Sequence, residues 1–385
     1  VRRVLSAEAI LVVAALLFSV VLFLLADFFV LSRFMVDEDK LSIHVRGKRG
    51  WYALKPNFQG QSYGWGTEFY PLSTDSLGFR IDPSRAPARP AEFIFLGDSY
   101  AFGVNGPWAE TFVGIFERAS GRAVINTGVA SYSPTVYLHQ YKAALAAGVL
   151  KKPHTVVVSL DVSDVQDEAA IWEDGERTPA MREGTYHPER SRVRGTVASK
   201  FLATRRIYRF IRYRQDDPAR PRTGEPPSDS VFDQDRSAFT WRSWNEIEKL
   251  SRGPVDPNDV DFYHTLGYGP LGVRGGLDRI VAKLQATAEV AKENQGSLWI
   301  LIYPWPAQLK HRSAIFDWQR FVHDSCAKIA CRGVIDTFPI FRAPAEAHPD
   351  WYRRLFVWGD VHFNEAGNRL IADELMRVLL GSSRP

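Results

Sequence analysis

The chain holds only two cysteines, shows no internal repeat and has no excess of one charge sign, with 48 basic against 44 acidic residues in 385. A pI near 8.9 without a clustered basic stripe argues against a nucleic-acid groove, so no nucleic-acid partner is expected. The nine histidines are scattered without metal-ligand spacing, so neither a metal nor another cofactor is expected. Cys326 and Cys331 lie too far apart along an unbroken helix to pair, but a helix ending near Ala330, with Gly333 just beyond, brings them within bonding reach. If they pair, the soluble part lies in an oxidising compartment. What is plentiful is apolar surface: 45% hydrophobic and 13% aromatic residues exclude a disordered tail and suffice for one large core, or a core with a smaller layer.

Charge is missing altogether from "AILVVAALLFSVVLFLLA", residues 9–26, and Phe28 to Leu31 extend the apolar stretch past Asp27. That is long enough to span a bilayer, and too long for the core of a cleaved signal; Leu24 also stands where a small residue should precede cleavage after Ala26. Residues 1–32 are therefore read as a transmembrane anchor in the lipid bilayer. Arg2 and Arg3 before the span are nearly balanced by Arg33, Lys40 and Arg46 after it, which leaves orientation open.

Residues 33–90 form an extension that contains "STDSLGFR" (73–80) and ends in the proline-punctuated linker "DPSRAPARP" (82–90). From residue 91 to 385 the pattern becomes α/β. Apolar runs at 92–96, 123–126, 155–160, 298–303 and 333–338 read as strands buried on both faces, with helix-period stretches between them at Trp108–Ala119, Pro134–Ala147 and Leu277–Glu293. This predicts a doubly wound, five-stranded parallel sheet. Residues 166–271 interrupt it as a lid or inserted subdomain. Within them, "SKFLATRRIYRFIRYR" (199–214) places Arg205, Arg209 and Arg212 opposite Ala203, Ile207 and Phe210, which suits either a lid helix with a solvated basic face or a membrane-surface helix.

Ligands of open parallel sheets bind beyond the carboxyl ends of the strands. There "FIFLGDSYAFG" delivers Ser99, "NTGVASYS" delivers Gly128, and "LDVSDVQDE" delivers Asp161, Ser163 and Asp164. Close to the C-terminus, "GDVHFNEAGNRLIADEL" delivers Asp360 and His362 before a helix that Asn364 is placed to cap. A serine hydroxyl becomes nucleophilic at neutral pH when an imidazole takes its proton, and the imidazole needs a carboxylate to fix its tautomer. Two apart in an extended segment, Asp360 and His362 share a side. The backbone N–H groups of Ser99 and Gly128 are candidate oxyanion donors, each worth about 3 kcal/mol in such sites. Ser99 as a mere helix N-cap and His362 as a packed core histidine are the plain structural alternatives.

These residues resemble the SGNH (GDSL-like) hydrolases, whose first block matches Gly97, Asp98 and Ser99, whose second matches Gly128, and whose last matches Asp360 and His362. The resemblance covers roughly 91–380 and implies a flavodoxin-like strand order. Two blocks depart from it. Where the family has G-x-N-D, this chain has Asp161, Val162, Ser163 and Asp164, which leaves the Ser163 hydroxyl as the third oxyanion donor and sets a repelling aspartate nearby. The D-x-H spacing and the anchor look like the membrane-linked branch related to alginate O-acetyltransferases. That resemblance implies a single-pass protein of the bacterial inner membrane with a periplasmic domain. It implies an acylated donor supplied by a multi-pass membrane acyltransferase, and a glycan acceptor. A hydrolytic esterase and a catalytically silent scaffolding subunit remain as alternatives. In "IYPWPAQ" (302–308), Tyr303 and Trp305 are candidates for stacking on sugar, or simple loop packing; "GYGPLG" (267–272) fits a dinucleotide fingerprint but follows no strand and reads as a loop.

Overall fold

A computed structural model describes residues 7–31, 44–46, 52–63, 69–84, 89–104, 106–173, 176–177, 203–204, 207, 271–311, 316–357 and 360–381. The expected insertion at 166–271, its basic 199–214 stretch and the 267–272 loop lie largely outside these residues. The chain divides into two units, 1–42 with 187–220 and 43–186 with 221–385.

In the first unit, α1 (Ala7–Ala26) continues into a wider π-turn at Asp27–Leu31, and Leu11–Leu31 is long and apolar enough to cross a membrane. Its one charge has a local use. The Asp27 carboxylate accepts the backbone N–H of Ala203 (3.0 Å) and both the N–H and hydroxyl of Thr204 (2.7 and 2.6 Å). A carboxylate holding three donors is tolerable beside an apolar stretch where a bare one is not.

The second unit is built on one sheet. Its strands are β1 (Gln59–Tyr63), β2 (Phe69–Thr74), β3 (Arg80–Ile81), β4 (Ala91–Leu96), β5 (Val124–Asn126), β6 (Leu150–Leu160), β7 (Gly296–Ile302) and β8 (Gly333–Asp336), in the spatial order β8-β7-β6-β4-β5-β3-β2-β1. The five strands from β4 onward are parallel and run in the expected flavodoxin-like order. The expected five-stranded parallel sheet is nevertheless corrected to a mixed sheet of eight, because the 59–81 segment, read from sequence as an extension, adds an antiparallel meander beyond β5.

The turn that starts this meander's last strand explains "STDSLGFR". Asp75 Oδ1 accepts the N–H groups of Leu77 and Phe79 at 2.9 Å, and Gly78 takes φ +83° where a Cβ would meet the Leu54 carbonyl at 2.6 Å. Arg89 secures the other carboxylate oxygen at 2.5 Å. The turn therefore aims Arg80 into the core, 1% exposed, in register with Asn126 at the end of β5.

Helices α2 (Ser99–Phe102), α3 (Phe112–Ser120), α4 (Pro134–Ala146), α5 (Gly272–Glu293), α6 (Trp318–Ile329), α7 (Phe338–Ala347) and α8 (Glu365–Leu380) connect and cover the strands. The chain steps one way from β4 to β5 and the other way from β5 to β6, so right-handed crossovers put α3 and α4 on opposite faces. There α3 packs with α8 and α4 with α5. The helix expected from Trp108 instead begins at Phe112, because the Thr111 hydroxyl caps Gly114 N–H at 3.1 Å and stops the preceding 3₁₀ turn. Ala330, at φ 55°, ends α6 and turns the chain so that Cys331 meets Cys326 in a disulfide, their Cα atoms 5.0 Å apart.

Candidate active site

The registers bring the ends of the central strands together: Leu96 lies beside Val158, and Leu160 beside Ile302. Asp98, Asp161 and Tyr303 thus follow their strands onto one edge. Gly97 is required there for space rather than for a left-handed turn, since a Cβ would meet Ala101 Cβ at 2.6 Å and Ser159 Cβ at 2.9 Å. Asp98, not Ser99, caps α2, its Oδ1 accepting Tyr100 N–H at 3.0 Å. That leaves the hydroxyl of Ser99 for other work.

Ser99 Oγ lies 2.8 Å from His362 Nε2, and His362 Nδ1 lies 2.8 Å from Asp360 Oδ1. With Nδ1–H donating to the carboxylate, Nε2 is the acceptor that faces the serine. Asp360 Oδ1 also accepts Val361 N–H at 2.6 Å, while Tyr352 donates its hydroxyl to the Asp360 carbonyl at 2.7 Å. The ring of Tyr100 packs 4.5 Å from the imidazole, and its hydroxyl donates to Val361 O at 2.8 Å. Tyr100 ties the loop carrying Asp360 and His362 to the residue after Ser99. No sequence pattern singled it out; its adjacency to Ser99 was the only signal.

The expected oxyanion donors are placed less simply. Gly128 N–H donates to Asn126 Oδ1 at 2.9 Å, and Asn126 Nδ2 donates to Ala101 O at 2.7 Å, so this glycine serves a tie between β5 and α2. A Cβ at Gly128 would meet Phe102 N at 2.4 Å, which is why no side chain fits. Ser163 likewise gives both its N–H (2.7 Å) and its hydroxyl (2.6 Å) to Asp161 Oδ1. Of the three donors, only the Ser99 N–H, at the first position of α2, has no acceptor among the described residues.

Tyr303 and Trp305 are corrected as sugar platforms: they are 0% and 6% exposed, and Tyr303 packs 4.7 Å from Tyr100 and 5.6 Å from Phe363. The residue after a buried central strand enters the core rather than the rim.

No family model matches the sequence, and no curated protein matches it. Solved structures do. A lipolytic protein of the G-D-S-L family from Veillonella parvula is 12% identical over 75% of this chain and 97% of its own, with a TM-score of 0.39. An acetyl xylan esterase from Geobacillus stearothermophilus is 13% identical over 76% and 95%, with a TM-score of 0.35. A GDSL-like lipase from Bacteroides thetaiotaomicron is 11% identical over 78% and 94%, also at 0.35.

Around Ser99 the buried residues include the acids Asp98, Asp161, Asp164 and Asp167. Burial, reinforced by the charge of Asp161, pushes Asp98 up to about 7. Burial also raises Asp161, against the opposing pull of the Ser163 hydroxyl and N–H, the Trp305 indole and His362. Among the described residues Asp161 Oδ2 is buried without a hydrogen-bond partner. Asp164 and Asp167 are held well above the carboxylate range by burial first and by neighbouring carboxyls second. Asp164 Oδ2 accepts Asp161 N–H at 2.9 Å, and Tyr137 donates to its Oδ1 at 2.9 Å. Among the described residues no cluster of His, Cys, Asp or Glu is arranged to hold a metal ion.

This cluster sets the sign of the pH dependence of stability. Each acid binds its proton more tightly folded than unfolded; for Asp98 the native state carries the extra proton between about pH 4 and about pH 7, Asp161, Asp164 and Asp167 act in the same sense, and stability falls as pH rises through that window. The second unit should melt a few degrees higher at about pH 5.5 than at about pH 7.5, since roughly 1 kcal/mol moves a large domain by about 2 °C. Asp164→Asn should shrink the difference. Scanning calorimetry at the two pH values checks this, and equal or reversed melting temperatures would refute it.

Proposed function

We propose that this protein performs serine-dependent acyl-ester chemistry and passes the acyl group to a hydroxyl of an extracytoplasmic glycan. The observation that carries the reading is the unbroken chain of contacts from Asp360 through His362 to Ser99, 2.8 Å at each step. Ser99 Oγ attacks the donor's ester carbonyl as its proton passes to His362 Nε2. The donor's C–O bond breaks, and His362 returns the proton to the departing alcohol. An acceptor hydroxyl then attacks the acyl-serine, losing its proton to His362, which delivers it to the leaving Ser99 oxygen. The Ser99 N–H meets the oxyanion; Ser163 joins by turning its hydroxyl away from Asp161, and Gly128 by loosening its bond to Asn126.

Membrane attachment through Leu11–Leu31 and a periplasmic site follow as parts of the same reading. An apolar helix whose Leu16, Leu17, Phe18 and Val20 are all more than half exposed suits lipid, and the Cys326–Cys331 disulfide suits an oxidising compartment. The acylated donor would arrive from a multi-pass membrane acyltransferase.

The full chain in detergent, incubated with an activated acetyl ester, should gain one acetyl group on the peptide containing Ser99, and Ser99→Ala should gain none. Equal ester turnover by both proteins would defeat the reading. Adding an oligosaccharide separates transfer from hydrolysis: acetate should appear on sugar rather than in solution. A reporter fused after Pro385 and active only outside the cytoplasm tests the topology.

A further inference from the structure

Ser99 Oγ has two neighbours, not one. Opposite His362 Nε2 at 2.8 Å stands Asp98 Oδ2 at 3.1 Å. The hydroxyl owns a single hydrogen, and Nε2 is already an acceptor because Nδ1–H is spent on Asp360. If Oδ2 were also a bare acceptor, the serine proton would be divided between a productive and an unproductive partner.

We propose, on the reading of the site given above, that Asp98 works as a neutral carboxylic acid whose Oδ2–H donates to Ser99 Oγ and thereby aims the serine proton at His362. The other oxygen is fixed as an acceptor: Oδ1 takes Tyr100 N–H at 3.0 Å and the Tyr303 hydroxyl at 3.4 Å. Only Oδ2 is left to carry the hydrogen. The surroundings favour that form. Asp98 is 4% exposed, and among the described residues no lysine or arginine pairs with it. The titratable groups acting on it or feeling its charge are Asp161 at the end of β6, Asp164 and Asp167 just beyond, Tyr137 on α4, Tyr303 after β7 and His362. The Tyr100 N–H, a protonated His362 and the hydroxyls of Ser99 and Tyr303 favour an ionised Asp98, but burial and the charge of Asp161 outweigh them. A carboxylic acid kept neutral by an apolar, acidic site and used as a hydrogen-bond donor has precedent in enzymes.

The same hydrogen serves the second half of the reaction. In the acyl-serine, Oγ has no proton, and the Asp98 hydrogen bond falls on the ester oxygen that must depart when the acceptor attacks. The proton that completes Ser99 comes from His362, so Asp98 ends each cycle as it began. An ionised Asp98 would instead face both the ester oxygen and the oxyanion with like charge.

Burial and Asp161 place the change of state at about pH 7. Acylation of Ser99 by a fluorophosphonate, followed by mass spectrometry of the full chain, should therefore slow by about tenfold per pH unit above that point. Asp98→Asn keeps the cap through its carbonyl and turns a permanent N–H donor toward Oγ. At about pH 8.5 it should label about thirtyfold faster than wild type, and its alkaline limb should be absent. A residue that only caps α2 would leave the pH profile unmoved, and an unmoved profile overturns the proposal.

A second measurement does not depend on turnover. Difference infrared spectroscopy near pH 6 should show a protonated-carboxyl band in wild type that Asp98→Asn lacks, and that shifts in Ser99→Ala as its acceptor disappears. Absence of the band sinks the role of Asp98 whatever the activity. Its presence and shift, with no labelling of Ser99 in any variant, would uphold the hydrogen bond and condemn the acyl-serine reading instead.

Discussion

Replacing His362 with alanine should lower the rate of Ser99 acylation by about 10⁴-fold or more. The size follows from what the imidazole alone supplies. A serine hydroxyl is almost wholly protonated at neutral pH, and Nε2 at 2.8 Å is the neutral base in line to receive its proton. Asp98, the other neighbour, is a poor substitute below about pH 7, where on the proposal above it carries its own proton. Asp360→Asn should cost less than His362→Ala but still orders of magnitude: an amide at that place offers the wrong group to Nδ1–H and favours the wrong tautomer. Stopped-flow acylation with an activated ester, beside melting curves to show that each variant is folded, measures both. His362→Ala within about tenfold of wild type would remove the base from the mechanism.

How much of this was legible in the sequence depends on what kind of signal each part leaves. The parallel strands were visible because β4 and the second halves of β6 and β7 are buried on both faces and so read as apolar runs. β1 and β2 were not: "QGQSY" and "FYPLST" carry glycine, proline and serine at one end of the sheet, where no apolar run is demanded. The meeting of Ser99, His362 and Asp360 was legible by position, because the carboxyl edge of a parallel sheet collects the segments that leave its strands. The oxyanion side was not, since the fate of the Gly128 and Ser163 hydrogens is decided by where the Asn126 and Asp161 side chains point. Spacing carries no trace of that. Tyr303 and Trp305 failed as sugar platforms for a related reason: residue type announces an aromatic face, while register decides whether water ever sees it.

Arg80 is the clearest case of a residue whose importance only the fold reveals, and its replacement by methionine should destabilise the second unit by about 3–5 kcal/mol. The guanidinium is buried with no carboxylate paired to it among the described residues, and desolvation draws it down to about 10, so it stays charged at neutral pH. Carbonyls hold it there. One nitrogen donates to Phe102 O and to Gly103 O, the latter at 2.7 Å, and the other to Gly106 O at 2.7 Å, while the Tyr70 and Phe102 rings lie 5.5 and 4.9 Å from its central carbon. The Phe102 and Gly103 carbonyls end the short helix that begins with Ser99, so the positive charge sits where the helix dipole is negative. Methionine fills much of the volume but leaves three carbonyls facing an apolar chain, each costing about 1–3 kcal/mol if it stays unpaired. The loop must then rearrange, and α2 has only four residues with which to resist. Acylation of Ser99 should therefore weaken in kcat more than in KM, at temperatures where the variant remains folded. Arg80→Lys keeps the charge without the planar fork and should recover only part of both losses. Urea melts paired with labelling rates measure the two effects together; an Arg80→Met protein as stable and as reactive as wild type would mean that Asn126 and the Tyr100 contacts hold α2 without help from the meander.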